Sequence, residues 1–206
     1  MAMTSRIRVQ RQGAAEEIRL GAGRGFAPTA RGLVADSGRL FEDLRRNAER
    51  ATTLPELTRI VLDGIELYSG GKKRVGFVIG PISSNEVSGK EANWKRLHAA
   101  TMHIQGDPRF PFQVFSTTFM PEEVEWLLSK RHAQDEYGAH WGRVVREVTD
   151  IFVTPGSYAS KGATQELRTA ESVRGIRIHD MTRDSSLLRC LREVQRPADA
   201  AGVPLL

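Results

Sequence analysis

Two hundred and six residues, 40% hydrophobic and 27% charged, suit one α/β domain with extensions. A single cysteine, Cys190, excludes a disulfide framework and a thiolate metal site. No apolar run is long enough for a bilayer, and no signal-peptide pattern opens the chain. The expected setting is reducing and cytoplasmic, with no membrane partner. The formal charge is +5, and residues 1–31 supply about +4 of it, from Arg6, Arg8, Arg11, Arg19, Arg24 and Arg31 against Glu16 and Glu17. The rest is nearly neutral, so attraction to nucleic acid is expected only through this basic tail.

Residues 1–36 read as a flexible basic tail with a linker-like "GRGFAPTARG". A helical preface follows over 37–71. Its first helix places Leu40, Phe41, Leu44 and Ala48 on one face, with Asp36 or Ser37 as N-cap. Its second does the same with Leu54, Leu57, Ile60, Val61 and Ile65, and Pro55 suits a first turn. Within 72–182 the rhythm changes to short apolar runs alternating with amphipathic stretches. Strands are expected at 74–80, 112–118, 150–154 and 176–180. Helices are expected at 90–104, 121–131 and 140–150, and from the loop after Val153 to about Arg174, with Gly175 as its stop. Apolar strands alternating with helices imply an α/β fold with a parallel sheet covered on both faces. Residues 183–206 complete the chain with a helix over 184–195, capped by Asp184 or Ser185, and a tail.

Ligands of open parallel sheets collect beyond the carboxyl ends of the strands, and two loops there have distinctive composition. "GPISSNEVSGKEAN" (80–93) offers Gly80 for close backbone approach, Pro81 to fix the turn, and hydroxyl or amide groups on Ser83, Ser84 and Asn85. It is neither a Walker loop nor a dinucleotide fingerprint. "TPGSYASKGATQEL" (154–167) carries Gly156, Ser157, Tyr158, Ser160, Lys161 and Gly162, with Glu166 about one turn into the next helix. The helix dipole and Lys161 are expected to keep that carboxylate ionised. A positioned, ionised carboxylate is what attack on an anomeric carbon requires. Tyr158 or Trp94 could stack on a base. The five histidines are scattered, His98 and His103 five apart on one helix, so no metal site is expected.

The Gly80-Pro81-Ile82-Ser83 turn, and the strand that runs into P-G-x-x-x-S-x-G-A-x-x-E at 155–166, resemble the nucleoside 2-deoxyribosyltransferase-like superfamily. That group includes nucleoside deoxyribosyltransferases and nucleoside 5′-monophosphate N-glycoside hydrolases. The resemblance covers roughly residues 74–182 and implies a flavodoxin-like three-layer sandwich, here preceded by a helical extension. It implies Glu166 as nucleophile, and Gly156, Ser160 and Gly162 as the loop holding ribose and phosphate. Gly80, Pro81, Ile82 and Ser83 would line the other side of the sugar, and Ser83, Ser84 and Ser160 would hold a 5′-phosphate or the sugar hydroxyls. It further implies a nucleoside or nucleotide substrate, no cofactor, and a homo-oligomer in which a neighbouring subunit completes the pocket. The family's second aspartate falls by register on Gly142; Asp135, Glu136 and His140 are the nearby polar candidates to replace it. The competing expectation is a non-catalytic nucleotide-sensing module on the same fold.

Overall fold

The computed structural model describes residues 38–69, 73–82, 87–120, 124, 131 and 134–195. The basic tail, all of the expected helix at 121–131 except residues 124 and 131, and the C-terminal tail lie outside these, as do Ser83 and Ser84. Four strands, β1 (Val75–Ile79), β2 (Gln113–Phe115), β3 (Asp150–Val153) and β4 (Arg177–Asp180), form one sheet in the order β2-β1-β3-β4. Every neighbouring pair is parallel: Phe77 sits opposite Phe115 on one side and Ile151 on the other, and Ile151 opposite Ile178. This is the flavodoxin-like order, with its switch point between β1 and β3.

Alternation along the strands sorts side chains between two cores. Val75, Phe77, Ile79, Ile151 and Val153 point to one face. There they meet α1 (Arg39–Ala48), α2 (Leu54–Ser69), α4 (Gln134–Glu147) and α5 (Lys161–Ser172). Val78, Val114 and Phe152 point to the other, against α3 (Val87–Gln105) and α6 (Ser185–Val194). Three layers result. The helical preface is part of this sandwich, since Leu40, Phe41, Leu44, Leu57, Val61 and Ile65 are buried in the same core as β1 and β3. At the second edge, the Leu40 amide donates to Gln113 Oε1 at 3.2 Å.

Two helices differ from the spacing-based bounds. The third begins at Val87 rather than 90, and α4 occupies Gln134–Glu147 rather than 140–150. Both extensions run through a glycine, Gly89 and Gly138, which ordinarily reads as a breaker. Gly138 has a packing reason. A Cβ there would lie 3.0 Å from Gln165 Nε2, and one at Gly142 would lie 3.9 Å from Thr169 Oγ1. These ascending matches show α4 and α5 running in parallel, side by side, over the sheet. The second strand is also shorter than expected, because Ser116 leaves it to cap a 3-10 turn over Thr117–Phe119.

The amino ends of β1, β3 and β4 meet at Asp150, whose side chain is fully buried. Arg74 donates to both of its oxygens, Nε at 3.0 Å. Arg177 donates to both as well, at 3.0 and 3.1 Å, with His179 Nε2 at 2.7 Å and the Thr149 hydroxyl at 2.7 Å. Burial alone would raise this carboxyl's pKa, but these donors outweigh it and hold the group well below the usual carboxylate range.

Candidate active site at the strand tips of β1 and β3

Helix α3 leaves β1 on one face and α5 leaves β3 on the other, which makes the tips of these two strands the topological switch point of the sheet. The two exits are tied together. The Thr154 hydroxyl donates to the Ile79 carbonyl at 2.8 Å, and the buried Ser157 hydroxyl lies 3.0 Å from the same oxygen and 2.7 Å from the Thr154 carbonyl. Gly156 turns the chain at φ +92°, where a Cβ would sit 3.2 Å from Pro81 Cγ. A side chain there would meet both a strained backbone and the opposing loop. The Gly80-Pro81-Ile82 and 154–160 segments therefore converge, as their sequence suggested. The glycine at 80 has a different cause from the one expected: a Cβ would lie 2.6 Å from Thr154 Oγ1 and 2.9 Å from Leu97 Cδ1. Protein atoms, not a ligand, take up that space.

Ser160 is the N-cap of α5, its oxygen accepting from the Ala163 amide at 3.4 Å. Gly162 is exposed, and nothing lies within 4 Å of where its Cβ would be. Glu166 is the sixth residue of the helix. It shares the core-facing stripe with Ala163, Leu167 and Ala170, and its side chain is partly buried. Here the sequence-based expectation of an ionised carboxylate is reversed: burial pushes its pKa up to about 8. It stands beyond the free amides of the first turn, which fade quickly along a helix. Among the described residues nothing forms a hydrogen bond or ion pair with it.

The loop's polar groups are thus divided by the helix. Tyr158, Ser160, Lys161, Thr164, Gln165 and Arg168 line a hollow of about 380 Å³, on a different flank of α5 from the Glu166 stripe. Tyr158 is 58% exposed, its hydroxyl 3.4 Å from Asp180 Oδ2, whereas Trp94 packs against the core. A larger hollow, about 710 Å³, lies at the far end of α3 beside Arg109 and Asp184.

Beside α5, the structure adds two residues. His140 and Trp141 on α4 are each 3% exposed. His140 Nδ1 lies 2.6 Å from the Thr58 hydroxyl, which itself lies 2.8 Å from the Leu54 carbonyl. Burial, reinforced by Arg143, lowers the His140 pKa to about 4, so the ring is neutral. Among the described residues, His140 Nε2, Trp141 Nε1 and Thr117 Oγ1 are buried without a hydrogen-bond partner. His140 was a sequence candidate by proximity to the Gly142 register; nothing in the spacing distinguished Trp141 as more than core. Gly142 itself faces Thr169, Glu136 is exposed, and the Asp135 side chain lies outside the described residues.

Among the described residues, no group of His, Cys, Asp or Glu could hold a metal ion, and no helix is long and apolar enough to cross a membrane. No family model, curated protein or solved structure matches this chain.

Proposed function

We propose that this chain cleaves the N-glycosidic bond of a nucleoside or nucleoside 5′-monophosphate, by hydrolysis or by transfer of the (deoxy)ribosyl group. The observation that carries this reading is Glu166: an acid on the core-facing stripe of α5, without a partner among the described residues and titrating near 8, beside the switch point of a parallel sheet. Carboxyls moved that far from their ordinary range concentrate at functional sites. The order of residues around it, P-G-x-x-x-S-x-G-A-x-x-E, supports the substrate class through its resemblance to nucleoside deoxyribosyltransferases.

In the proposed reaction one Glu166 oxygen bonds to C1′ as the bond to the base breaks. The base leaves with the electron pair and takes a proton from water. A water, or a second base, then attacks C1′ from the opposite side and releases the carboxylate. At pH 7 a group titrating near 8 is about one-tenth ionised, and this desolvated fraction is the attacking species. Positive charge developing at C1′ favours ionisation as the transition state is approached. Gly162 borders open space at the helix start, where sugar hydroxyls or a 5′-phosphate would fit against the first-turn amides.

Incubation with a panel of nucleosides and 5′-monophosphates, scored for free base, tests this. Release is expected from the intact protein and is lost in Glu166→Gln and Glu166→Ala. Its kcat/KM rises with pH until it levels above about 8. A rate that falls through the same range would make Glu166 a general acid. Persistent release in both variants would remove it from the mechanism. The absence of a carboxyl at Gly142 favours one second reading, nucleotide binding without turnover, which predicts tight binding and no free base.

A further inference from the structure

We infer that the hollow on the outward flank of α5, lined by Tyr158, Ser160, Lys161, Thr164, Gln165 and Arg168, binds a phosphate dianion carried on a compact organic group. The inference goes beyond the N-glycoside reading and does not rest on it, because this flank faces away from Glu166.

Helical spacing sets the flank. Lys161, Thr164 and Arg168 stand at i, i+3 and i+7, which makes one stripe along nearly two turns. The buried residues Ala163, Leu167 and Ala170 occupy the opposite side. Glu166 is turned about 140° from Lys161 around the helix axis, so a ligand in the hollow leaves that carboxyl untouched.

The charges in the hollow are unanswered. Lys161 and Arg168 are exposed, and among the described residues neither has a hydrogen bond or an ion pair. No carboxylate is among the described residues that line the hollow. The larger hollow beside Arg109 is built the other way. There Asp107 and Asp184 meet Arg109 Nη2 at 2.6 and 2.8 Å, so its cation is neutralised from within. Two cations in one concavity repel each other until an anion joins them, and a dianion matches their sum.

Geometry favours one tetrahedral anion. The Cα atoms of Lys161 and Arg168 are about 10 Å apart along the axis, and helical side chains lean toward the amino end. Arg168 is thereby directed back over Thr164 toward Lys161. A guanidinium grips two phosphate oxygens at once, and an ammonium supplies a further contact. The Thr164 hydroxyl is a neutral donor beside them, its contacts to the Ser157 and Tyr158 carbonyls being long, at 3.5 and 3.4 Å. The helix end is not the recognition element, since Ser160 accepts from the Ala163 amide and closes it.

Size and rim select a small ligand. A volume of about 380 Å³ lies at the low end of the range for small-molecule sites, about 300–1,000 Å³. The Tyr158 ring, 58% exposed, walls the mouth and offers a face to the organic part. Asp180 and Glu171 act on Tyr158 from outside, so a polyanion extending past the rim would be repelled.

The test uses the intact chain and calorimetry, with ribose 5-phosphate as the probe and ribose and inorganic phosphate as comparison arms. Ribose 5-phosphate is expected to bind, ribose not to, and inorganic phosphate to bind more weakly. Lys161→Gln and Arg168→Gln are each expected to weaken binding about 5- to 30-fold. Arg189→Gln, which removes an exposed cation of α6, should leave it unchanged. The three side chains are exposed, so the variants should melt with the parent. Side-chain resonances of Lys161 and Arg168 in the parent should shift on binding, which decides the matter without any variant. Absent binding, ribose binding as well as its phosphate, equal affinity for inorganic phosphate, unmoved resonances, or the same loss in Arg189→Gln as in Arg168→Gln overturns the inference. Binding abolished by Glu166→Gln would put the probe in the Glu166 pocket and overturn it too. Binding retained in Glu166→Gln upholds this site even if no glycosidic cleavage is found, whereas base release without ribose 5-phosphate binding removes the site and leaves the N-glycoside reading standing.

Discussion

The two ends of β3 handle a buried acid in opposite ways. At its amino end Asp150 is sealed from solvent and fully answered, by two guanidiniums, an imidazole and a hydroxyl. Beyond its carboxyl end Glu166 is partly buried without a partner among the described residues. The first acid is held charged, the second neutral. The same fold therefore answers one acid with several donors and leaves the other without any among the described residues, the state that the proposed nucleophile would require.

The largest expected effect breaks the satisfied end. Asp150→Ala strands the Arg74 and Arg177 charges against each other and should cost about 3–5 kcal/mol in urea unfolding. Because the folded-state pKa of Asp150 is depressed, its stabilisation is present above the unfolded value, near 4, and is lost as pH falls toward the folded one. The gap between parent and variant should therefore narrow below about pH 4.

A smaller effect of opposite sign marks the other end. Glu166 ionises near its model value of 4.5 when unfolded and near 8 when folded. Between those values folding takes up a proton, so stability falls as pH rises through the window. Glu166→Gln should be more stable than the parent by about 1–3 kcal/mol at pH 8, a discounted share of ~1.4 kcal/mol per pK unit for a partly exposed group. The two should unfold alike near pH 4.5. A variant less stable than the parent at pH 8 would mean that Glu166 has a partner holding it charged.

The smallest effect separates the two glycines of the loop. Gly156→Ala, at φ +92° against Pro81, should cost about 1–2 kcal/mol. Gly162→Ala, in open space within a helix, should leave stability unchanged or raise it by up to about 1 kcal/mol, yet lower base release by crowding the sugar. Equal losses of stability in both would show that the loop, not the ligand, claims that space.

Much of the fold was legible because burial here follows period. Leu40, Phe41, Leu44 and Ala48 were placed on one face by spacing alone, and all are buried; α2 occupies the expected span of apolar positions. The start of α4 was hidden because Gln134–Gly138 carries no apolar rhythm and its glycine serves contact with α5. At the site, convergence of the 80–82 and 154–160 loops was implied only by the resemblance, because strand order is not written in the residues. The protonation of Glu166 could not be read either: sequence gives its distance from the helix start, whereas its place in the second turn, on the stripe that packs inward, decides its charge. Arg74, Asp150 and Arg177 looked like unrelated strand flanks. Only register makes them neighbours, since Gly76, Asp150 and Arg177 stand in one row across the sheet.

That row has a consequence for solubility. The fourth strand forms one edge of the sheet, with Ile178 41% exposed, and a bare edge invites other chains to add on. Only four residues long and headed by a half-exposed arginine, it makes a poor template for such growth. The guanidinium that neutralises Asp150 thus also stands guard at the border, and loss of the aspartate would unpin the guard together with the core.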